Sequence, residues 1–282
     1  MTPSVAQPRS LDDAVEALRT AIDPTVLAGG TDLMVAINAG SRRPTSVVSL
    51  IRVPELQGWH RDGDEVVLGA CLTYAEIERG ELASLVPALA QAARTIGSPQ
   101  IRNAATLGGN LGTASPAGDS LPVLAALDAT VETIGPDGVR TLPVLEFVTG
   151  VKRTALRAQE IITAVRVPVL RGPQEFLKVG TRNAMVISVV MAALVIDLDG
   201  RSVRLGLGSV APVPVRARDA EALAEGSVDW DTARIGDQTV FGRFGELAAE
   251  STAPIDDHRS TAAYRRHAVS VCARRALERA LR

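Results

Sequence analysis

GSPQIRNAATLGGNLGTASPAGD, Gly97 to Asp119, is the stretch on which the reading of this chain turns. It is rich in Gly, Pro, Ser, Thr and Asn, and unstructured segments longer than about 12–15 residues are uncommon inside compact domains and usually functional. Ordering such a backbone costs conformational entropy at nearly every residue, so a bound partner explains it better than an idle surface loop. Within it, Thr106, Leu107, Gly108, Gly109 and Asn110 open a run with three close glycines, followed by hydroxyls at Thr113 and Ser115 and a carboxylate at Asp119. Closely spaced backbone donors suit diphosphate oxygens, and an ionised aspartate accepts hydrogen bonds from ribose hydroxyls or an amide.

A second glycine loop lies upstream, in Leu27, Ala28, Gly29, Gly30, Thr31, Asp32 and Leu33. Val26–Ala28 reads as a short buried strand, a helix follows from Thr31 to about Ala39, and Ser46–Leu50 reads as another strand, which together make a small α/β unit. Two glycines between strand and helix let the backbone approach a ligand closely, and the unpaired N–H groups of a helix's first turn favour phosphate. Alone, this loop is also compatible with a plain tight turn capped by Thr31 or Asp32. Two such loops in one half of the chain suggest a dinucleotide held from two sides.

Further out, Ser10 to Asp13 resembles a capping box and starts a helix burying Leu11, Val15 and Leu18, and Thr73-Tyr-Ala-Glu76 is a capping box proper. An amphipathic helix is expected over residues 81–96. Residues 130–134 and 139–142 form a hairpin across Pro136-Asp137-Gly138, and residues 160–167 form a strand closed by Pro168. Arg171-Gly172-Pro173 is the best boundary. Beyond it come strands over 176–179, 187–197 and 202–207, then helices over 217–224, 243–249 and 260–281. This layout is α+β. It implies a first domain over residues 1–170, in two subdomains split near residues 55–62, and a second over residues 174–282.

The composition narrows the function. The 282 residues carry 30 Lys+Arg against 32 Asp+Glu, and 46% are hydrophobic, so the chain is globular and gives no sign of nucleic-acid binding. The longest nearly apolar run, Met185–Ile196, is too short for a membrane span. The N-terminus lacks the basic-then-apolar layout of a secretion signal, so a soluble, cytoplasmic protein without an integral membrane segment is expected. The only two cysteines, Cys71 and Cys272, are too few for an iron–sulfur or Cys-rich zinc site and read as small buried hydrophobes. His60, His258 and His267 are scattered, and no nucleophile elbow, zinc-protease helix or nucleotide P-loop motif is present. Gly206-Leu-Gly-Ser-Val-Ala211 imitates a dinucleotide fingerprint, but Pro212 and Pro214 forbid the helix it needs. The chain carries no catalytic machinery of its own and reads as a holder of a cofactor that does the chemistry.

At its two glycine loops the chain resembles the FAD-binding subunits of the molybdenum hydroxylases, the xanthine dehydrogenase and carbon monoxide dehydrogenase flavoprotein family. The matching pieces are AGGTDL (Ala28–Leu33), LIRVPEL (Leu50–Leu56), the Gly97–Asp119 segment, FLKVGTRNAMVISV (Phe176–Val189) and STAAYRRHAV (Ser260–Val269). The resemblance implies an FAD-binding domain of the p-cresol methylhydroxylase type, made of two α/β subdomains, with a small α+β domain closing over the flavin. It implies that Leu27 to Met34 wrap the FAD diphosphate from one side and Thr106 to Asn110 from the other. It further implies Asp119 near the ribityl or ribose region, apolar flavin contacts from Ile96 and Ile162, Lys178 near the flavin and Ile187 over the ring. Lys178 stands out independently, since Lys152 is the only other lysine.

The implied function is electron transfer. A small [2Fe-2S] subunit and a large molybdopterin subunit would oxidise a substrate, FAD here would receive the electrons, and NAD or another acceptor would take them on. Overall likeness points first to a xanthine dehydrogenase. Flavin subunits of carbon monoxide dehydrogenase or of aromatic and N-heterocycle hydroxylases are the alternatives, as is an assembly protein that has lost flavin. A stand-alone flavin oxidase is disfavoured, because no covalent-attachment Cys or His lies near the loops and no substrate base is evident.

Overall fold

The computed structural model describes residues 4–282. Strands β1 (Ser4–Ala6), β2 (Pro24–Leu27) and β3 (Ser46–Ser49) form a parallel sheet in the order β1-β3-β2, crossed by helices α1 (Leu11–Thr20) and α2 (Leu33–Asn38). Ser10 caps α1 by accepting the Asp13 N–H at 3.1 Å, and Ala14 and Leu18 are the side chains α1 buries fully. The expected α/β unit is therefore present. Its second helix begins two residues later than the sequence suggests, because Gly29 to Asp32 are spent on the turn.

The next sheet is antiparallel, ordered β4-β5-β10-β6-β7, from β4 (Trp59–Asp62), β5 (Glu65–Gly69), β6 (Thr130–Gly135), β7 (Gly138–Pro143) and β10 (Ile161–Pro168). Between β5 and β6 run α3 (Tyr74–Ile77), α4 (Gly80–Leu85), α5 (Pro87–Thr95), α6 (Pro99–Arg102), α7 (Leu107–Thr113) and α8 (Leu121–Ala126). The short elements α9 (Val144–Phe147), β8 (Val148–Gly150) and β9 (Arg153–Thr154) lie between β7 and β10. Two expectations change here. The helix over 81–96 is two helices, since Pro87 lacks an N–H and forces Val86 out of helical geometry, to φ −132° and ψ 66°. The Gly97–Asp119 segment is also not structureless: it contains α6, capped by Ser98, and α7, capped by Thr106.

The last sheet is antiparallel, ordered β11-β12-β13-β14, from β11 (Gln174–Gly180), β12 (Ser188–Asp197), β13 (Ser202–Gly208) and β14 (Val215–Arg216). Helices α10 (Arg218–Glu225), α11 (Thr239–Glu250) and α12 (Ala262–Leu281) pack with it around Leu194, Phe241, Phe244, Val269 and Leu277. Helices α5 and α8 also pack against this sheet, and Met191, Ala193 and Val195 join the core of the middle sheet. Every residue of β12 is buried, as a strand covered on both faces must be. The false fingerprint has a packing role: a Cβ on Gly206 would stand 1.9 Å from the Pro122 carbonyl oxygen, so glycine lets α8 lie directly on β13. Cys71 and Cys272 are buried free thiols, and burial pushes the Cys71 thiol up to about 11. No helix among the described residues is long and apolar enough to cross a membrane.

Candidate cofactor-binding site

Two adjoining cavities lie where the parallel sheet meets α7. The first, about 390 Å3, is lined by Leu27, Ala28, Gly29, Gly30, Thr31, Asp32 and Leu33 on one side. Facing them are Ile96, Thr106, Gly109, Asn110, Thr113, Ser115, Asp119 and Lys178. The second, about 470 Å3, contains Gly108 and Ile162 and shares Ala28, Asp32, Leu33, Gly109 and Thr113 with the first. Ile96 and Ile162 therefore sit in different compartments. Met34 and Leu107 line neither: Met34 is half exposed on α2, and the Leu107 side chain is fully buried in the core.

The two glycine loops differ in what their backbones can offer. In α7 the N–H of Leu107 goes to Leu72 O at 3.0 Å, that of Gly108 to Ala70 O at 2.8 Å, and that of Asn110 to Thr106 O at 3.0 Å. The Gly109 N–H donates to Thr106 Oγ1, also at 3.0 Å. This loop supplies shape rather than backbone donors, contrary to the sequence reading. The N–H groups of Gly29, Gly30, Thr31 and Asp32, by contrast, have no acceptor among the described residues, and all four residues line the first cavity. Gly30 turns the chain at φ +75°, which L side chains rarely adopt. Gly29, Gly30 and Thr31 are half-buried and Asp32 is exposed, and a row of N–H donors without protein acceptors on a cavity wall can receive an anion.

The loops touch directly. A Cβ on Gly29 would lie 1.7 Å from Ala104 O, and Thr113 Oγ1 donates to Asp32 Oδ2 at 3.5 Å. The glycine at position 29 is thus required by the neighbouring backbone, whatever binds in the cavity.

Across from the free donors stands a buried ion pair. Lys178 Nζ, on β11, donates to Asp119 Oδ2 at 2.6 Å and to Thr95 O at 3.2 Å, and Thr95 Oγ1 also donates to Asp119 Oδ2 at 3.2 Å. The two charged side chains are only 8% and 6% exposed. Burial raises the Asp119 carboxyl above its ordinary range, and the Lys178 ammonium offsets this only in part. Asp119 lines the cavity, and its Oδ1 is buried with no hydrogen-bond partner among the described residues.

Sequence reasoning missed Tyr74, Ile101 and Val186 in the first cavity and Arg42, Cys71 and Lys152 in the second. None carries a local signal, since each is brought there by long-range packing. Ile187 does line the first cavity, beside Val186. A third cavity of about 720 Å3 shares Gly97, Lys178 and Val186 with the first and adds Arg94, Arg102 and Arg182.

Comparison with known proteins adds the following. Residues 2–170 match the model of the FAD binding domain in molybdopterin dehydrogenase, and residues 175–280 that of the CO dehydrogenase flavoprotein C-terminal domain. The carbon monoxide dehydrogenase medium chain of Afipia carboxidovorans is 32% identical over 280 residues, covering 97% of this chain and 95% of that one. The xanthine dehydrogenase FAD-binding subunit of Escherichia coli O157:H7 is 30% identical over 283 residues, covering 96% and 94%. Among solved structures, the reconstituted CO dehydrogenase from Oligotropha carboxidovorans superposes with a TM-score of 0.90 at 30% identity, over 99% of this chain and 98% of that one.

Proposed function

Because this chain belongs to the family of FAD-binding domains of molybdopterin dehydrogenases, we propose that it works as the electron-transferring flavin subunit of a heteromeric molybdenum hydroxylase. A small [2Fe-2S] subunit would deliver electrons from a large molybdopterin subunit, and NAD would take them away. The observation that carries the reading is the row of N–H donors at Gly29 to Asp32 that have no protein acceptor among the described residues, in a cavity that Asp119 also lines. Those donors suit the diphosphate of FAD, and the Asp119 carboxylate suits a hydroxyl or N–H donor elsewhere on it. Bound there, FAD would supply reversible one- and two-electron chemistry.

The chain's own residues have the remaining roles. Leu27 to Asp32 bind, while Thr106 to Gly109 shape the opposite wall and Thr113 ties the two loops together. Ile96, Val186 and Ile187 give apolar surface in the first cavity, and Ile162 does so in the second. Arg94 and Arg182 have no carboxylate partner among the described residues. Their cavity adjoins the first at Lys178, which supports an anionic acceptor such as NAD. The oxidised substrate belongs to the molybdopterin partner. Relatives named for carbon monoxide and for xanthine stand at 32% and 30% identity, so identity does not separate them, and xanthine is the first substrate to try on the assembled complex.

The purified chain is expected to hold about one FAD per chain, non-covalently. Acid or heat denaturation should release all the yellow colour to the supernatant, and excess NADH should bleach it beforehand. Colour retained in the pellet, or a colourless complex, overturns the FAD reading. Unbleached but releasable flavin overturns NAD as acceptor only.

A further inference from the structure

We infer that Tyr74 and Ser120 are positioning residues: their buried hydroxyls form a relay that holds the Asn110 side-chain amide with its nitrogen facing the cofactor cavity. The inference rests on the FAD reading above for its ligand and on two contacts for its geometry. Ser120 Oγ donates to Asn110 Oδ1 at 2.7 Å, and Tyr74 Oη lies 3.0 Å from Ser120 Oγ. Ser120 is fully buried, Tyr74 is 1% exposed, and both Tyr74 and Asn110 line the first cavity.

The direction of the chain follows from counting protons. Each hydroxyl has one proton to give, and an amide oxygen can only accept. With Ser120 donating to Asn110 Oδ1, the Tyr74 phenol donates to Ser120, and both protons are used. Burial pushes the Tyr74 phenol up, against the Ser120 hydrogen bond, so it keeps its proton. Turning the amide over would have Asn110 Nδ2 donate to Ser120. One of the two buried O–H groups would then have no acceptor among the described residues, and stranding a buried donor is unfavourable. The network therefore fixes Nδ2 away from Ser120. Its two N–H donors have no protein acceptor among the described residues. Asp119, adjacent to Ser120 in sequence, is an acceptor residue lining the same cavity. Donor and acceptor are thus presented by one short segment and its hydrogen-bond partner, and Tyr74 acts on the ligand only through Asn110.

The test is a double-mutant cycle on FAD affinity, measured by flavin fluorescence with the apo chain. Asn110→Ala and Ser120→Ala are each expected to weaken FAD binding, Ser120→Ala by roughly tenfold. The double variant should be no weaker than Asn110→Ala alone, because Ser120 works through the amide. Additive losses, or full affinity in Ser120→Ala, overturn the relay. If Ser120→Ala does not fold, Tyr74→Phe replaces it, with a smaller loss that must also vanish in the Asn110→Ala background. Hydrogen exchange of the Asn110 side-chain N–H pair in the apo chain gives a readout that needs no FAD. Open exchange, slowed only when a ligand is bound, supports the orientation, and a protected pair in the apo chain would place Nδ2 against Ser120 and overturn it. A wild-type chain that binds no FAD but shows open exchange removes the FAD reading and leaves the relay standing.

Discussion

Lys178 illustrates how one partner changes what a residue can do. The family resemblance implies only an ammonium near the flavin. In the structure Asp119 neutralises it at 2.6 Å inside a nearly closed site. A buried pair of this kind is a poor source of net stability, yet removing one partner alone costs about 3–5 kcal/mol because the other charge is left uncompensated. Lys178→Met should therefore destabilise the apo chain at neutral pH, and the stranded carboxyl should meet the cost by taking up a proton. The sign follows from linkage. A carboxyl already raised by burial rises further without the ammonium, so the folded state binds the proton more tightly than the unfolded one. Stability is then full below the unfolded carboxyl value of about 3.9 and falls as pH rises through the folded value. Urea titrations over a pH series should show the deficit of Lys178→Met shrinking toward acid, and Asp119→Asn in the same chain should restore much of it at neutral pH. A deficit independent of pH would mean that Lys178 matters only through packing of its aliphatic stem.

At the scale of elements, the central strands were readable because burial wrote itself into their residues, while edge strands and glycine-rich helices were not. The run that becomes β12 is apolar from Val189 to Ile196 because it is covered on both faces, and β6 alternates half-buried and buried residues. By contrast β1 is wholly exposed and β4 nearly so, leaving no pattern to find. Helix α7 carries three glycines in seven residues, each unfavourable by about 1 kcal/mol, and forms because Thr106 caps it and Gly108 lies against Ala70. The site was legible in the same measure. Its glycine loops announced themselves, but the carbonyls of Leu72 and Ala70 that consume the Leu107 and Gly108 donors come from far upstream in the chain. The edge of β11 shows another such long-range arrangement. Gln91 Nε2, on α5, donates to Gln174 O at 3.1 Å while its Oε1 accepts the Phe176 N–H at 2.7 Å, and Gln174 Oε1 accepts the Ala88 N–H at 3.2 Å. One side-chain amide thus covers an open strand edge. Gln91→Ala should destabilise the chain by about 1–3 kcal/mol, since it leaves the Phe176 N–H and one carbonyl unpaired. Chemical denaturation should register this as a lower midpoint, whereas an unchanged midpoint would show that water replaces the amide without loss.

Across the whole molecule, the cavities are walled from separate sheets: the parallel sheet through Leu27 to Leu33, the helices of the middle sheet through α7, and the last sheet through Lys178. The walls are joined by direct contacts, since Gly29 lies against Ala104 and Thr113 reaches Asp32. A ligand that binds only this assembled arrangement stabilises it by RT ln(1 + [L]/Kd), about 2.7 kcal/mol at a hundredfold excess over Kd. For a chain of this size each kcal/mol moves the melting temperature by about 2–4 °C, so saturating FAD should raise it by about 5–10 °C. The two glycine loops separate binding from folding in this measurement. At Gly109 an added Cβ meets only the Thr106 hydroxyl, at 2.9 Å, and a larger side chain takes up room in both cavities. Gly109→Val should therefore lose the FAD-dependent rise while lowering the apo melting temperature only by the strain it puts on the Thr106 cap. At Gly29 the Cβ collides with a carbonyl of the neighbouring backbone, and overpacking of that kind costs about 1–3 kcal/mol or more. Gly29→Val should melt lower even without FAD, so its loss of flavin would report a damaged wall rather than a blocked ligand. Thermal melts of flavin-stripped protein across an FAD titration distinguish the two, and a full FAD-dependent rise in Gly109→Val would remove the Thr106–Asn110 loop from the binding surface.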